Sequence, residues 1–402
     1  MKKVVVGLSG GVDSSVAAYL LKKQGYDVIA LFMINWHDST GTLSGDCSWD
    51  EDLIFAKLVA RQFEIPFHVV YFCEQYKNRV VDYMFSEYEK GRTPNPDILC
   101  NREIKFDLFV EASNQLGADY IATGHYCQKG EIKANEKETI YQLLAGSDLN
   151  KDQSYFLCQL SQQQLSNVFF PVGHLLKPQV RKIARELGLA TAQRKDSQGL
   201  CFIGKIDLPI FLQQRIKSKK GLVIEIPTDF KIPADIEEYD NAICDQERHD
   251  ILKEFSKPYF YKIEDGEIVG QYSGAQFFTI GQRKGMNIGG KMQPLFVIAT
   301  DVPNNIVYVG QGNNHPGLYR KVLFISAGDL HWIRTDLELE VGKKCKFKVR
   351  IRYRQPLQNA SLYRFVEGLY ISFDVPQRSI APGQFAAWYD NGELIGSGVI
   401  YY

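Results

Sequence analysis

The first two hundred residues alternate short, wholly apolar runs with amphipathic stretches. Val4–Leu8 is a continuous apolar run, the pattern of a strand buried on both faces. Asp13–Gln24 then reads as a helix, with Val16, Ala17, Leu20 and Leu21 on one side and Gly25 as its stop. Val28–Ile34 is the next strand, and Ser48-Trp49-Asp50-Glu51 has capping-box spacing that opens a helix reaching Phe63. Phe67–Phe72 and Tyr120–Thr123 predict further strands, and Ile104–Leu116 and Val180–Leu187 further helices. Such repeated units predict an α/β fold, a doubly wound and mostly parallel sheet covered by helices. Beyond Lys205 the pattern changes. Val297–Thr300, Ile306–Val309, Lys344–Tyr353, Leu369–Phe373 and Gln384–Tyr389 are short β runs. Turn signals such as Pro303-Asn304-Asn305 and Asn391-Gly392 separate them, which predicts a compact C-terminal β-barrel. The expected division is a catalytic domain at 1–205, a small central domain at 206–290 and the barrel at 291–402.

Composition narrows the class. At 402 residues, with 45% hydrophobic and 23% charged side chains, the chain can bury several cores and is not a disordered tail. No apolar run approaches the ~20 residues of a membrane helix. Gly7, Ser9, Gly10 and Gly11 interrupt the opening apolar residues before a signal peptide could form, so a cytoplasmic protein is expected. Lys and Arg total 47 against 47 Asp and Glu, so any nucleic-acid surface must be a local patch. Residues 216–270 carry roughly thirteen acidic against eight basic side chains and read as an insertion in the central domain. None of the eight cysteines forms C-x-x-C, which fits a reducing compartment and mostly buried thiols.

The chemistry begins at Ser9-Gly10-Gly11-Val12-Asp13-Ser14, between the first strand and the first helix. Ligands bind at the carboxyl ends of such strands, where glycines let the backbone approach an anion and the helix N-terminus favours a phosphate. An ordinary capped turn is the plainer reading. No Gly-Lys-Ser/Thr follows, so this is not the loop that grips a γ-phosphate. The hexapeptide instead resembles the PP-loop of ATP pyrophosphatases, which split ATP between the α and β phosphates and adenylate a substrate. Thr93-Pro94-Asn95-Pro96-Asp97-Ile98-Leu99-Cys100-Asn101 places a carboxylate three residues before a thiol, just upstream of a helix that should acidify it. A second thiol closes the polar turn Asp196-Ser197-Gln198-Gly199-Leu200-Cys201-Phe202. On its own, the first cysteine would pass as a small buried hydrophobe, whereas the second follows a polar, Gly-containing turn rather than a core strand.

Together with Gly117–Tyr126, Lys151–Leu157, Thr279–Gly285 and Arg352-Tyr353-Arg354-Gln355, these segments resemble, in order and nearly end to end, the tRNA-specific 2-thiouridylase (MnmA) family. The resemblance implies adenylation of C2 of the anticodon wobble uridine (U34) by ATP. Its oxygen is then replaced by sulfur from a cysteine persulfide, with release of AMP and pyrophosphate. ATP would be held by Gly7, Leu8, Ser9, Gly10, Gly11, Val12, Asp13 and Ser14, with Met33 beside the adenine and Gly124 completing the pocket. Mg²⁺ is expected on the phosphates, with Asp13 a candidate contact. Cys201 matches the persulfide carrier, loaded by an external sulfur-relay protein. Cys100 matches the partner thiol that ends in a transient disulfide with it, and Asp97 is the candidate general acid/base, or else an Asx cap. Asn95, Pro96 and Asp97 correspond to target-base contacts, and Lys151, Asp152, Gln153, Arg352 and Tyr353 to tRNA contacts. A monomer is expected.

Rival readings share the loop. An adenylating amide or amidine synthetase would not need the paired cysteines. A non-catalytic tRNA-binding protein would not need the loop and thiols intact. An iron–sulfur thiolase could use Asp97, Cys100 and Cys201 as ligands, although C-x-x-C is missing. His125 reads as a satisfied structural histidine more readily than a catalytic one, and Cys73, Cys158, Cys244 and Cys345 as structural. From Lys344 to Arg354 the charges fall on every second residue. In a strand, all six cations (Lys344, Lys346, Lys348, Arg350, Arg352 and Arg354) would share one RNA-facing side.

Overall fold

The computed structural model describes all residues except 38–48, 136–137, 197–198, 200, 202, 205–206, 232–244 and 287. Cys47, the Ser48 cap, Cys244 and parts of the 196–202 turn and the 216–270 stretch therefore lie outside the described residues. The apolar runs become β1 (Lys3–Gly7), β2 (Asp27–Ile34), β3 (Phe67–Tyr71) and β4 (Tyr120–Ala122). A hairpin follows, β5 (Cys127–Lys133) and β6 (Thr139–Ala145), and then β7 (Val168–Phe169). The parallel sheet has the order β3-β2-β1-β4-β7, so the order reverses around β1. Val4, Val5 and Val6 are wholly buried, which is why the run lacks alternation: helices cover both faces. α1 (Val12–Lys23), α2 (Trp49–Gln62) and the helix Lys177–Glu186 pack one face through Val16, Val59 and Val180. The other face meets Phe109, Tyr155 and Leu165.

Two helical stretches near the site differ from the sequence expectation. Cys73–Glu89 is helical throughout, with a π-type segment at Lys77–Val81. The helix expected at Ile104 starts earlier, at Pro96, capped by Asn95, whose side chain accepts a bond from the Ile98 amide at 3.3 Å. It passes through a π-type segment, Asn101–Leu108, into Phe109–Gln115.

The second half also divides differently. β8 (Lys220–Glu225), β9 (Glu267–Ser273), β10 (Leu295–Asp301) and β11 (Ile306–Gln311) form one sheet in the order β10-β11-β8-β9. The central unit therefore runs past the boundary expected at 290/291, because β11 bonds to the earlier β8 and carries its partner β10 with it. β8 lies inside the 216–270 stretch, in the middle of that sheet and parallel to β11. The described ends of that stretch are structural rather than an appendage, and the charge count concealed two strands. The remaining strands are β12 (Tyr319–Ser326), β13 (Leu330–Trp332), β14 (Lys344–Arg350), β15 (Gln358–Phe365), β16 (Gly368–Arg378), β17 (Phe385–Asp390) and β18 (Glu393–Val399). They pair antiparallel in the order β12-β16-β15-β14-β17-β18 and continue onto β6 and β5 of the first half. This shared sheet, with Phe385 and Tyr389 packed beside Tyr155, joins the C-terminal unit to the N-terminal one. Among the described residues no helix is long and apolar enough to cross a membrane.

Candidate active site

The loop after β1 and the turn after β4 face each other at the point where the strand order reverses, the usual ligand crevice of an open parallel sheet. Gly10 takes φ +74°, and a Cβ there would lie 2.2 Å from the Asp52 carbonyl oxygen, so the loop must carry glycine. Gly124 approaches as closely: its Cβ would sit 2.7 Å from the Ser14 backbone nitrogen. Ser14 Oγ accepts from the Ser9 amide and donates to the Gly11 carbonyl, both at 3.2 Å, and Ser15 Oγ donates to the same carbonyl at 2.7 Å. Gly11 caps α1 with no side-chain bond, leaving the helix N-terminus to an anion. Met33, partly buried near the end of β2, packs between the cores on either side of the site.

A charged network braces this cradle. Lys177 Nζ donates to both oxygens of Asp13 at 2.7 and 2.8 Å and pairs with Asp196 at 2.8 Å. Tyr126 Oη donates to Asp13 at 2.7 Å. Arg181 donates to Asp196 at 2.8 Å, and Lys151 also pairs with it. Burial pushes the Asp196 carboxyl up, but Lys151 and Lys177 outweigh it and hold it at about 2. Arg194 donates to the Gly10 carbonyl at 2.9 Å and to Asp52 at 2.6 Å, tying the loop to α2. Asp13 is thus already neutralised by a lysine, a role the motif did not reveal.

The thiol centre is assembled from distant segments. The Cys201 amide donates to Asp97 Oδ1 at 3.1 Å across 104 positions of sequence, and Tyr76 Oη donates to the Cys201 carbonyl at 2.7 Å. Cys100 is wholly buried, Cys201 partly exposed, and both are free thiols. Their environments push them in opposite directions. Burial, the facing Cys201 thiol and the surrounding negative charge push the Cys100 thiol well up. The facing Cys100 thiol pulls Cys201 down and, against burial, Lys105 pulls it further. The expectation that the helix start acidifies Cys100 is therefore corrected: the thiol sits inside the helix, away from its N-terminus and from water. Burial also raises the Asp97 carboxyl. His125 Nδ1 lies 2.8 Å from Thr123 Oγ1, and burial and then Lys105 hold the ring neutral. His125 follows Gly124, so the two centres adjoin. Cys127 and Cys158 are buried and their thiols are pushed up, Cys158 to about 12.

The residues expected at the RNA divide in the same way. Asn95, Pro96 and Asp97 open the helix at the thiols, and the Gln384 amide donates to the Thr93 and Pro94 carbonyls at 2.9 and 3.1 Å. Lys151 remains partly exposed. Asp152 is only 3% exposed: it accepts from the Gly146 and Ser154 amides and pairs with Arg350 at 3.2 Å, so it braces the domain junction. Gln153 Oε1 accepts from the Tyr126 amide at 3.0 Å. Arg352 donates to the Ser379 carbonyl at 2.6 Å, and the Tyr353 ring lies 4.4 Å from that of Phe156. The six-cation stripe is corrected as well. β14 ends at Arg350, so only Lys344, Lys346 and Lys348 alternate outward on the strand, while Arg350 and Arg352 turn inward. Sequence reasoning missed Tyr76, Lys105 and Lys177. A lysine five residues after a motif cysteine carries no signal of its own.

Three family models match consecutive parts of the chain: the tRNA methyl transferase HUP domain over residues 2–205, the tRNA methyl transferase PRC-barrel domain over 250–311 and the aminomethyltransferase beta-barrel domain over 323–400. A tRNA-specific 2-thiouridylase MnmA of Christiangramia forsetii is 58% identical over 402 residues, covering 100% of both chains. One from Flavobacterium johnsoniae is 57% identical over 400 residues, again covering 100% of each. A 4-thiouridine synthetase solved with RNA and bound ATP aligns at 16% identity over 53% of this chain and 50% of that one, with a TM-score of 0.32. That likeness is too loose to place any residue.

Proposed function

Because the chain belongs to the tRNA-specific 2-thiouridylase family, we propose that it is an ATP-dependent tRNA-uridine 2-sulfurtransferase acting on the wobble uridine. The observation that carries this reading is the meeting of two free thiols, Cys100 and Cys201, at Asp97, which accepts a bond from the Cys201 amide, next to a glycine cradle.

The carbonyl at C2 is a poor electrophile with a poor leaving group. Attack of its oxygen on the α-phosphate of ATP places AMP on the base and expels pyrophosphate. The Gly7–Ser14 amides and the α1 N-terminus are placed to receive that charge. The protein carboxylates at the loop, Asp13 and Asp196, both pair with Lys177, so they make no cage for Mg²⁺. The ion would arrive on the nucleotide phosphates, where it would neutralise charge. Cys201, the more acidic thiol, carries the persulfide supplied by an external donor protein, and its terminal sulfur attacks C2. AMP leaves. The Cys100 thiolate, its proton passed to Asp97, then attacks Sγ of Cys201. The Sγ–S bond breaks, its electron pair stays on the sulfur now bound to C2, and a Cys100–Cys201 disulfide forms. A dithiol reductant supplies two electrons to restore both thiols. The target base must leave the anticodon stack to reach a wholly buried Cys100. Asn95, Pro96, Lys151, Gln153, Arg352 and Tyr353 are the proposed positioning contacts for the RNA.

Mass spectrometry of nucleosides from bulk tRNA, made with and without the protein, tests this directly. Appearance of 2-thiouridine derivatives with AMP release is the expected result. An added methyl group without sulfur, or ADP as the main product, would overturn it.

A further inference from the structure

Cys100 and Lys105 stand five residues apart. In a regular α-helix five steps of about 100° would leave their side chains roughly 140° apart around the axis. Here the backbone from Asn101 to Leu108 is π-helical, and Phe106 departs from helical geometry at φ −115°, ψ 15°. Bonding from i to i+5 brings the fifth residue over the first, which turns Lys105 toward the side of Cys100. Its ammonium faces the Cys201 and Cys100 thiols, and Asp97 and His125 lie within its field. Tyr76, wholly buried in the same core, faces Cys100, Cys201 and Asp97.

An ammonium stripped of water is costly unless an anion faces it. Burial pushes Lys105 down, yet Cys201 and Cys100, with Asp97, bring it up to about 12, so the charge is retained. Burial raises both the Asp97 carboxyl and the Cys100 thiol, leaving Cys201 as the sulfur whose anion the cation favours.

Resting on the thiolation reading, we infer that Lys105 is a positioning residue for the Cys201 sulfur. Its ammonium holds the thiolate, and the persulfide anion after loading, against the Cys100 thiol. It thereby decides which of the two cysteines carries the transferable sulfur. The π-type segment is the device that delivers it.

Alkylation of the full-length protein by iodoacetamide, followed cysteine by cysteine with peptide mass mapping between pH 5 and 10, tests this without requiring catalysis. Lys105→Met should raise the Cys201 titration midpoint by about one pH unit or more and slow its alkylation at neutral pH about tenfold. Lys105→Arg should recover part of the shift, and Cys73 and Cys345 should react as in the parent. A Cys201 titration in Lys105→Met that overlays the parent's, at an unchanged melting temperature, would overturn the inference. If Lys105→Met does not fold, an unshifted Cys201 titration in Lys105→Gln overturns it equally. The thiolation reading is judged separately, by whether the parent makes 2-thiouridine. A parent that thiolates with an unshifted variant removes the lysine's role alone.

Discussion

The nucleotide cradle and the thiol centre lie side by side and are built in opposite ways. The cradle comes from the loop after β1 and the short turn after β4, and its chemistry is backbone: amides, a helix end and two glycines whose missing side chains make room. The thiol centre draws Tyr76, Asp97, Cys100, Lys105 and Cys201 from three separate stretches of chain, and its chemistry is the environment each side chain meets. A backbone site tolerates changes far away and fails at a single added methyl. An assembled site tolerates local change and fails when one remote charge or contact is withdrawn.

The sharpest way to break this contrast is at the sulfurs. Cys100→Ser and Cys201→Ser should each reduce thiolation to background while ATP binding stays at the parental level, measured by calorimetry. Intact-mass measurement should still find a persulfide on Cys201 in Cys100→Ser and none in Cys201→Ser. Normal thiolation by either variant would dissolve the pair.

The converse test is at the cradle. Gly124→Ala puts a methyl 2.7 Å from the Ser14 nitrogen and 2.9 Å from the Asp13 carbonyl carbon, both backbone atoms that cannot swing aside. ATP affinity should fall at least about tenfold, equivalent to ~1.4 kcal/mol. The alkylation profile of Cys201 should not change. A shifted profile would mean that the two regions are one mechanical unit.

A smaller effect separates RNA docking from both centres. Lys344, Lys346 and Lys348 are exposed on β14 and carry the remaining stripe. Changing all three to Ser should flatten the log–log salt dependence of tRNA binding by roughly 0.7–0.9 for each phosphate that the protein no longer neutralises. ATP affinity should be unaffected. A salt titration that overlays the parent's would make the stripe an ordinary solvated face.

The smallest expected effect is an acid limb. Asp196 sits at about 2 in the folded chain against an ordinary 3.8. A carboxyl depressed by folding contributes fully above its unfolded value and loses that contribution as the pH falls through the folded one. Stability should therefore decline between about pH 4 and pH 2. Asp196→Asn should flatten that limb in unfolding melts taken across the window. Because Asp196 is partly solvated, the change should be modest.

Legibility followed the same division. The runs at Val4–Leu8 and Val28–Ile34 announced β1 and β2 because strands buried on both faces need apolar side chains at every position. The β5–β6 hairpin went unread: its strands are half-buried and carry Gln128, Lys129 and Glu131, and their partner is β18, at the far end of the chain. β10 and β11 were recognised as strands but assigned to the wrong sheet, since alternation shows a strand's faces and not its neighbours. The roles proposed for Cys100 and Cys201 rest on a resemblance, as neither spacing nor composition links two cysteines so far apart.

The sequence by itself determined where strands and helices alternate, where the backbone needs glycine and which loop can receive a phosphate. These depend on side-chain periodicity and φ/ψ freedom, which act between near neighbours along the chain. Only the tertiary structure decided that Cys100 is wholly buried while Cys201 stays partly exposed, that Lys177 neutralises Asp13, and that three cations of the expected stripe, not six, alternate outward on β14. Each of those outcomes turns on desolvation or on a charge brought in from a remote segment. Both act through space over a few ångströms, a distance that the linear order of residues does not encode.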